Sequence, residues 1–160
     1  VHSAVNFKIG HMQISHTLGR FNKVTGTFVV GADVAQSKVD IVVDAASVYT
    51  ADKKRDDHLK SPDFLNVAQF PTMRFTSTAV KPVDGKYEVA GNLELHGVTK
   101  PVTALFALVG SGPHMMDPTK TLIGFTGDLK IKRSDFDMKG MIPAAGDEVE
   151  LTIAIEAARK

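Results

Sequence analysis

Residues 91–104 are the segment that most constrains the fold of this chain of 160 residues. Apolar and polar residues alternate on both sides of His96-Gly97, a dipeptide suited to a tight turn. A period of two predicts strands with one buried face, so the segment is predicted to be a β-hairpin. The interior behind that face determines function: a core filled by side chains would make a scaffold, and a hollow one would make a container for an apolar ligand.

The same alternation recurs through most of the chain. It predicts eight strands, near residues 2–9, 17–30, 37–43, 72–79, 86–95, 98–109, 121–132 and 147–157. Most connections are short, which favours antiparallel neighbours, because a parallel pair needs a crossover of a dozen or more residues. We therefore predict an all-β fold, an eight-stranded antiparallel up-and-down barrel, in a single domain spanning residues 1–160.

One interval lacks the alternation. Residues 52–60 are charged, and Lys53 precedes Asp57 by four residues, which is a helical spacing. Ser61-Pro62-Asp63 then has the pattern of an N-cap, a proline at the first helical position and an acid in the first turn. We predict a short helical insert, about 52–66, made of two pieces that lie across one end or flank of the barrel.

The composition excludes several classes of function. With 19 Lys and Arg against 18 Asp and Glu, the net charge of +1 argues against a nucleic-acid partner. The absence of cysteine excludes disulfides, thiolate catalysis and Cys-ligated zinc. No apolar stretch approaches the length of a membrane-spanning helix, and the start at Val1 leads us to expect a removed leader or excision from a longer protein.

The chain offers no convincing catalytic or metal constellation. His11 and His16 are the closest pair of histidines, but their spacing has neither the i, i+4 geometry nor the accompanying carboxylate of a zinc site. Ser134 beside Asp135 lacks the Gly-x-Ser-x-Gly elbow of a hydrolase. We predict no enzyme activity, no catalytic residue, no metal and no catalytic cofactor.

Residues 53–58 form the densest charge cluster, and two interpretations stay open. The first is a solvated helix of mixed charge. In the second, Arg55 and His58 face a barrel mouth and meet an anionic or polar headgroup.

The strand near residues 102–109 is apolar on both faces, so its outer side, which includes Leu105, is expected to be covered. The cover is the helical insert, a second subunit or a membrane surface. On the inner face, Ser77, Gly91 and Gly127 fit an axial channel, bends of the strands or close strand contacts.

Several motifs carry a resemblance, in one order and along nearly the whole chain: His2-Ser3-x-Val5-x-Phe7, Gly19-Arg20-Phe21 with Gly26, Arg55-Asp56-x-His58-Leu59-x-Ser61-x-Asp63-Phe64, Phe70-Pro71, Gly91-Asn92-Leu93 with His96-Gly97-Val98-Thr99-Lys100-Pro101-Val102, Arg133-Ser134-Asp135-Phe136 and Gly146-Asp147-x-Val149. The chain thereby resembles the YceI-like family of polyisoprenoid-binding proteins. The resemblance implies a lipocalin-like antiparallel barrel with a helical insert and an elongated apolar tunnel. It also implies a periplasmic or secreted bacterial protein that holds a long isoprenoid chain, as in quinones or polyprenyl phosphates, without enzymatic activity.

We carry the tunnel role over to apolar positions on the inferred inner face: Phe7, Ile9, Phe21, Phe28, Val39, Ile41, Val43, Leu59, Phe64, Phe70, Met73, Phe75, Leu93, Leu95, Val102, Ala104, Phe106, Ile123, Phe125, Leu129 and Met138. Arg55 and His58 are the candidates for contact with the headgroup. Two positions depart from the family's pattern. Asp137 stands where the family usually has Gly after Arg133-Ser134-Asp135-Phe136, and Leu105 stands where a polar outward residue is expected.

Two hypotheses of function result. In the first, the chain binds an isoprenoid lipid without catalysis, for sequestration, storage or transport, and contacts a membrane transiently. In the second, it is a structural or interaction module with a filled barrel that works, for example as a homodimer, through the outer apolar patch around Leu105.

Overall fold

A computed structural model describes residues 2–158, and over this range the chain forms one antiparallel sheet of ten strands. The strands are β1 (Ala4–His11), β2 (Ser15–Phe21), β3 (Val24–Val29), β4 (Lys38–Asp44), β5 (Val48–Tyr49), β6 (Thr72–Val83), β7 (Lys86–Leu95), β8 (Val98–His114), β9 (Asp117–Lys132) and β10 (Ala145–Ala158). One α-helix of the described range, α1 (Lys53–Lys60), precedes β6, and short 3-10 helices occupy 34–36, 45–47 and 133–136. The predicted all-β antiparallel fold is confirmed. The outermost positions of the predicted domain, 1 and 159–160, lie outside the described residues.

The sheet curls into a half-barrel with the strand order β3-β4-β6-β7-β8-β9-β10-β1-β2-β5. Strands that follow one another in the chain are mostly neighbours, as expected of an up-and-down arrangement. The ladders between residues 2 and 158 leave β3 and β5 at the two ends of the sheet.

The predicted count of eight strands is not confirmed. The predicted strand 17–30 is divided into β2 and β3, because the backbone turns away at Asn22, whose N–H donates to the carbonyl of Ser47 at 3.2 Å. After this break β3 pairs with β4 rather than continuing alongside β1. The two-residue strand β5, which pairs with the end of β2, accounts for the tenth strand.

The tight turns follow their sequence signals. His96 and Gly97 have φ values of 53° and 75°, and Leu95 pairs with Val98 across them. Positive φ at both central residues is the type I′ geometry that matches the twist of a hairpin. The hairpin predicted around His96-Gly97 is therefore confirmed.

The helix α1 begins at Lys53 because Asp52 caps it: the Asp52 carboxylate accepts the N–H of Arg55 at 2.9 Å. Lys53 donates to Asp57 at 2.6 Å, which is the i, i+4 pair expected from the sequence. The first predicted helical piece is confirmed.

The second predicted helical piece is wrong. The structure has turns rather than helix after Ser61. Although the Ser61 hydroxyl accepts the N–H of Asp63 at 3.3 Å, the next backbone donors turn back toward α1. The N–H groups of Leu65 and Val67 donate to the carbonyls of Leu59 and Lys60, at 3.0 and 3.1 Å. These bonds satisfy the C-terminal end of α1 instead of starting a new helix.

The small residues of the inner face serve close packing. An added Cβ on Gly127 would lie 2.5 Å from ring carbons of Phe106, and one on Gly91 would lie 2.5 Å from the ring of Phe75. Aromatic rings on neighbouring strands thus occupy the space over these two glycines. Of the possibilities left open by the sequence, close strand contact applies to Gly91 and Gly127.

The Asp137 backbone explains the departure from the family's pattern. Asp137 ends the 3-10 helix 133–136 with φ 59°, in the left-handed region. Glycine adopts this region without cost, and Asp is one of the few other residues that visit it. Asp137 therefore keeps the loop conformation that a glycine would favour.

No helix within residues 2–158 is long and apolar enough to cross a membrane.

Candidate functional site

One end of the half-barrel encloses an apolar cavity of about 330 Å³. Its wall is formed by the inward faces of β1, β2, β4, β5, β6, β7, β9 and β10, with α1 and the segment after it on one side. The predicted tunnel residues in this wall are Phe7, Ile9, Phe21, Ile41, Val43, Leu59, Phe64, Met73, Phe75, Leu93, Leu95, Leu129 and Met138.

Several apolar residues of the wall are incompletely buried although they face inward. Phe7, Ile9 and Leu151 remain partly accessible, whereas Phe21 and Leu95 are buried. Apolar side chains of a filled core are usually packed on every side. Partial exposure on the inner face therefore marks a space that protein atoms do not fill.

The cavity opens where its wall reaches solvent. His11, Arg55, His58 and Met141 belong to the wall and are exposed. The mouth is therefore bordered by the β1–β2 turn, by α1 and by the loop before β10. Both predicted headgroup residues lie at this mouth.

Arg55 is held by hydrogen bonds to Thr50. Its Nε donates to Thr50 Oγ1 at 2.8 Å, and its Nη2 donates to the Thr50 carbonyl at 2.7 Å. Asp56 is buried and accepts the N–H and the hydroxyl of Thr50 at 2.8 and 2.6 Å. Because a guanidinium has three nitrogens, this network orients Arg55 and leaves Nη1 without a bond to any residue of the range 2–158.

His58 is positioned by the turn that follows α1. Its Nε2 lies 2.9 Å from Asp63 Oδ2, and its ring meets Phe64 edge to face with centroids 5.0 Å apart. The imidazole therefore joins an apolar wall residue to a carboxylate at the mouth.

Arg133 is a wall residue that the sequence analysis did not select. It is buried, and its guanidinium donates to the carbonyls of Gly146, Met138 and Ala145 at 2.7, 2.7 and 2.9 Å. Burial lowers the pKa of Arg133 from its ordinary value, although the charge of Asp147 opposes the shift. The sequence contained a signal for this role, because Arg133 follows Leu129 and Ile131 at intervals of two and therefore lies on the same inner face.

Asp147 fixes the same loop from its other side. Its carboxylate accepts the N–H and the hydroxyl of Ser134 at 2.9 and 2.8 Å. Partial burial favours the neutral acid, but these hydrogen bonds and the charge of Arg133 outweigh it and hold the pKa of Asp147 below its ordinary value. Arg133, Ser134 and Asp147 together determine the shape of the loop beside the mouth.

The remaining predicted tunnel residues lie outside the cavity wall, and most of them fill the rest of the half-barrel. Val39, Ala104 and Phe106 are buried in a solid core. Phe28 and Phe125 stack with centroids 5.7 Å apart, and Tyr87 packs against Phe125. These three rings pack together outside the wall of the cavity and are only partly buried.

Three further predicted positions also lie apart from the wall. Phe70 packs on His96 with ring centroids 4.7 Å apart. Val102 is half-buried and borders a separate cleft, and Ile123 is half-buried on β9, where it pairs with Ala157.

The separate cleft lies between β8 and β9. Their ladder ends at Leu105 and Asp128, and beyond it Lys100 and Lys132 border an open groove of about 590 Å³. The groove is more polar than the cavity, and Leu129 and Ile131 take part in both.

Within residues 2–158, no group of three or more His, Cys, Asp or Glu side chains could hold a metal ion. His11 belongs to the cavity mouth, and His16 pairs with Gly10 across β1 and β2.

Comparison with known proteins identifies the family. The model of the YceI-like domain matches residues 1–157. Protein YceI of Salmonella newport is 39% identical over 160 residues, covering 99% of this chain and 83% of that protein. The crystal structure of BcnA from Burkholderia cenocepacia has a TM-score of 0.85 at 27% identity, covering 97% of this chain and 96% of BcnA.

A more distant structure shares the fold. It is a polyisoprenoid binding domain from Saccharophagus degradans, with a TM-score of 0.69 at 17% identity, and the match covers 96% of this chain and 92% of that domain. The family match spans almost the full length of the chain and agrees with the motifs of the sequence. The chain belongs to the YceI-like family.

Proposed function

We propose that this protein binds the chain of an isoprenoid lipid in its apolar cavity, without catalysis, and keeps the polar headgroup at the mouth. The observation that carries the proposal is an unfilled apolar cavity of about 330 Å³ whose mouth is bordered by Arg55 and His58. This volume lies at the lower end of the roughly 300–1,000 Å³ typical of small-molecule sites. The polyisoprenoid binding domain of S. degradans, which shares the fold, supports the choice of ligand.

The energetics favour a protein that exchanges its lipid with membranes over one that retains it irreversibly. Burial of an apolar chain contributes about 0.8 kcal/mol per methylene relative to water, but a bilayer offers the same gain. Exchange with a membrane is then close to balanced, and selectivity comes from the shape of the wall and from the headgroup contacts. Sequestration, storage or transport across an aqueous space suits this balance, and a periplasmic or secreted location would supply such a space.

The lipid is a polyprenyl phosphate or an isoprenoid quinone, so its headgroup is a phosphate or a quinone ring. Arg55 Nη1 is available for a phosphate oxygen, since the other two nitrogens of the guanidinium are bonded to Thr50. His58, whose Nε2 faces Asp63, is the second polar side chain at the mouth and lies beside the same headgroup position.

Filling the cavity tests the proposal. Leu151→Trp places a large side chain into the cavity, whereas Thr152→Trp places the same side chain on the outer face of β10, where Thr152 bonds Asp128. Native mass spectrometry with lipid extraction should find an isoprenoid on the wild type and on Thr152→Trp, and much less on Leu151→Trp. Equal loading of the two variants, or a wild type that stays empty under varied lipid supply, would reject the proposal.

A second candidate function is a structural or interaction module. It is favoured by exposed apolar residues of β8, which are Leu105 on the outer face and Leu108 and Val109 further along the strand. For this candidate Leu105→Asp should dissociate a homodimer or a partner complex, measured by sedimentation, and leave lipid loading intact. A wild type that sediments as a monomer with no partner would remove the candidate.

A further inference from the structure

Two turns beside the cavity mouth expose large apolar side chains. The β1–β2 turn carries Met12 and Ile14, which are 57% and 84% exposed. The loop before β10 carries Met141 and Ile142, which are 57% and 39% exposed. We call these four residues the apolar lip.

The two halves of the apolar lip are tied together and to the cavity. The N–H of Met12 donates to the carbonyl of Ala144 at 2.6 Å, and His11 pairs with Ala145 across β1 and β10. His11, Met141 and Ala145 also belong to the cavity wall. The apolar lip is therefore continuous with the apolar interior.

The backbone of both turns that carry the apolar lip contains residues in a strained, left-handed conformation. Met12 and Gln13 have φ values of 51° and 58°, and Met141 has φ 59°. Gly, Asn and Asp usually occupy the left-handed region in turns, because a larger side chain is strained there. Of the other three tight hairpin turns in the described range, those of β6–β7 and β7–β8 place Gly85 and Gly97 in the left-handed region, and the β8–β9 turn at Met115-Met116 has no residue of positive φ. Strain retained together with exposed apolar side chains points to a functional constraint.

The lack of charged residues around the apolar lip indicates which kind of partner it fits. Residues 11–15 and 140–144 contain no Asp, Glu, Lys or Arg, and the nearby Lys139 pairs with Asp137 at 3.2 Å. Four side chains on two turn tips are also too few for a stable protein interface, which buries roughly 1,200–2,000 Å². Protruding, uncharged apolar tips suit the interface of a lipid bilayer.

We propose that the apolar lip inserts into the surface of a lipid bilayer, so that the cavity mouth opens directly onto the membrane. The inference rests on the proposed function, because the mouth would face the source of its lipid. Insertion of uncharged tips should depend little on anionic lipids or on salt.

A single-tryptophan experiment tests the location of membrane contact, since the chain contains no Trp. Ile14→Trp labels the apolar lip. Met116→Trp is the matched control in the β8–β9 turn, where Met115 and Met116 are 93% and 86% exposed. The 16-residue strand β9 separates that turn from the mouth. With neutral phosphatidylcholine vesicles, Ile14→Trp should shift its emission to the blue and be quenched by brominated chains, and Met116→Trp should do neither.

An exchange experiment tests the consequence. The probe is a fluorescently labelled farnesyl chain, and its rate of transfer from protein to phosphatidylcholine vesicles is measured. Ile14→Asp with Ile142→Asp should lower this rate at least tenfold while probe affinity in the absence of vesicles is unchanged. Met115→Asp with Met116→Asp should leave the rate at the wild-type value. Circular dichroism and a thermal melt establish that both double variants are folded.

The outcomes separate the two proposals. If no variant binds the farnesyl probe but Ile14→Trp inserts, the proposed function fails and the membrane contact stands. If Ile14→Trp shows no shift on vesicles, or if the tryptophans at 14 and 116 respond alike, the membrane contact is overturned. It is also overturned if Ile14→Asp with Ile142→Asp abolishes a wild-type dimer in sedimentation while vesicle transfer stays unchanged.

Discussion

The guanidinium carbon of Arg133 lies 5.8 Å from the ring centroid of Phe64, which joins the end of β9 to the segment that follows α1. Both residues belong to the cavity wall. Because Arg133 also donates to the carbonyl of Met138 and to those of Ala145 and Gly146 at the start of β10, one side chain connects three separate parts of the wall. Its position makes the shape of the cavity dependent on a buried cation.

Arg133→Met should destabilise the protein. The substitution keeps much of the apolar stem but removes the donors to three carbonyls, and each unsatisfied buried group costs about 1–3 kcal/mol. We expect the free energy of unfolding in urea to fall by on the order of 3 kcal/mol, after partial relaxation and hydration of the loop. Lys132→Met, at the exposed neighbouring position, should change it by less than about 0.5 kcal/mol. Similar values for the two variants would contradict this role of Arg133.

Arg55→Met should discriminate between headgroups. A charge-assisted hydrogen bond is worth about 1.5–3 kcal/mol, so the affinity for a prenyl monophosphate should fall roughly tenfold or more. The affinity for the uncharged prenol of equal chain length should change little. Lys54→Met removes the adjacent charge of α1 and should leave the ratio of the two affinities at its wild-type value. Parallel loss of both ligands in Arg55→Met would show that Arg55 supports the fold rather than the headgroup.

The inner face of the sheet could be predicted from the period of the sequence because alternation directly reports which side of a strand is buried. Leu93, Leu95, Ala104 and Phe106 are all buried as expected. Leu108 is exposed although it shares the face of Phe106, and the register between β8 and β9 shifts just after it, between Leu108 and Gly110. A β-bulge of this kind reverses the facing of the residues that follow it and leaves no clear mark in the sequence.

The extent of the hollow space could not be predicted from the sequence. Phe75 lines the cavity, whereas Phe125 lies outside its wall and stacks on Phe28, yet both are phenylalanines at inward positions. What differs is the distance across the curled sheet, which depends on the whole strand order. The role of Arg133 was missed for a related reason, because its carbonyl partners are 5 to 13 residues away in the chain.

The stability of the loop beside the mouth should depend on pH through Asp147. Its pKa in the folded protein lies below the ordinary value, so the carboxylate stabilises the fold at pH values above the unfolded pKa of about 3.9. This contribution is lost as the pH falls through the lower, folded pKa. The gap in Tm between the wild type and Asp147→Asn should therefore be constant above about pH 5 and should shrink at lower pH. Ser134→Ala removes one of the two donors to Asp147, so the difference in Tm caused by Asp147→Asn should be smaller in that background. A difference in Tm that grows on acidification would refute the lowered pKa of Asp147.

Gly127→Ala should destabilise the core without touching the cavity. The added Cβ would lie 2.5 Å from ring carbons of Phe106, a buried side chain that cannot move without disturbing its neighbours. Overpacking of this kind costs about 1–3 kcal/mol.

Gly124→Ala, on the same strand, is the matched control, because its nearest heavy atom would be the Cβ of Val109 at 3.8 Å. Urea denaturation should give a lower midpoint for Gly127→Ala and a midpoint near or slightly above the wild type for Gly124→Ala, since alanine restricts the unfolded chain. Equal midpoints would mean that the Phe106 ring is free to vacate the space over Gly127, and the solid core beyond the cavity would then be open to a longer lipid chain.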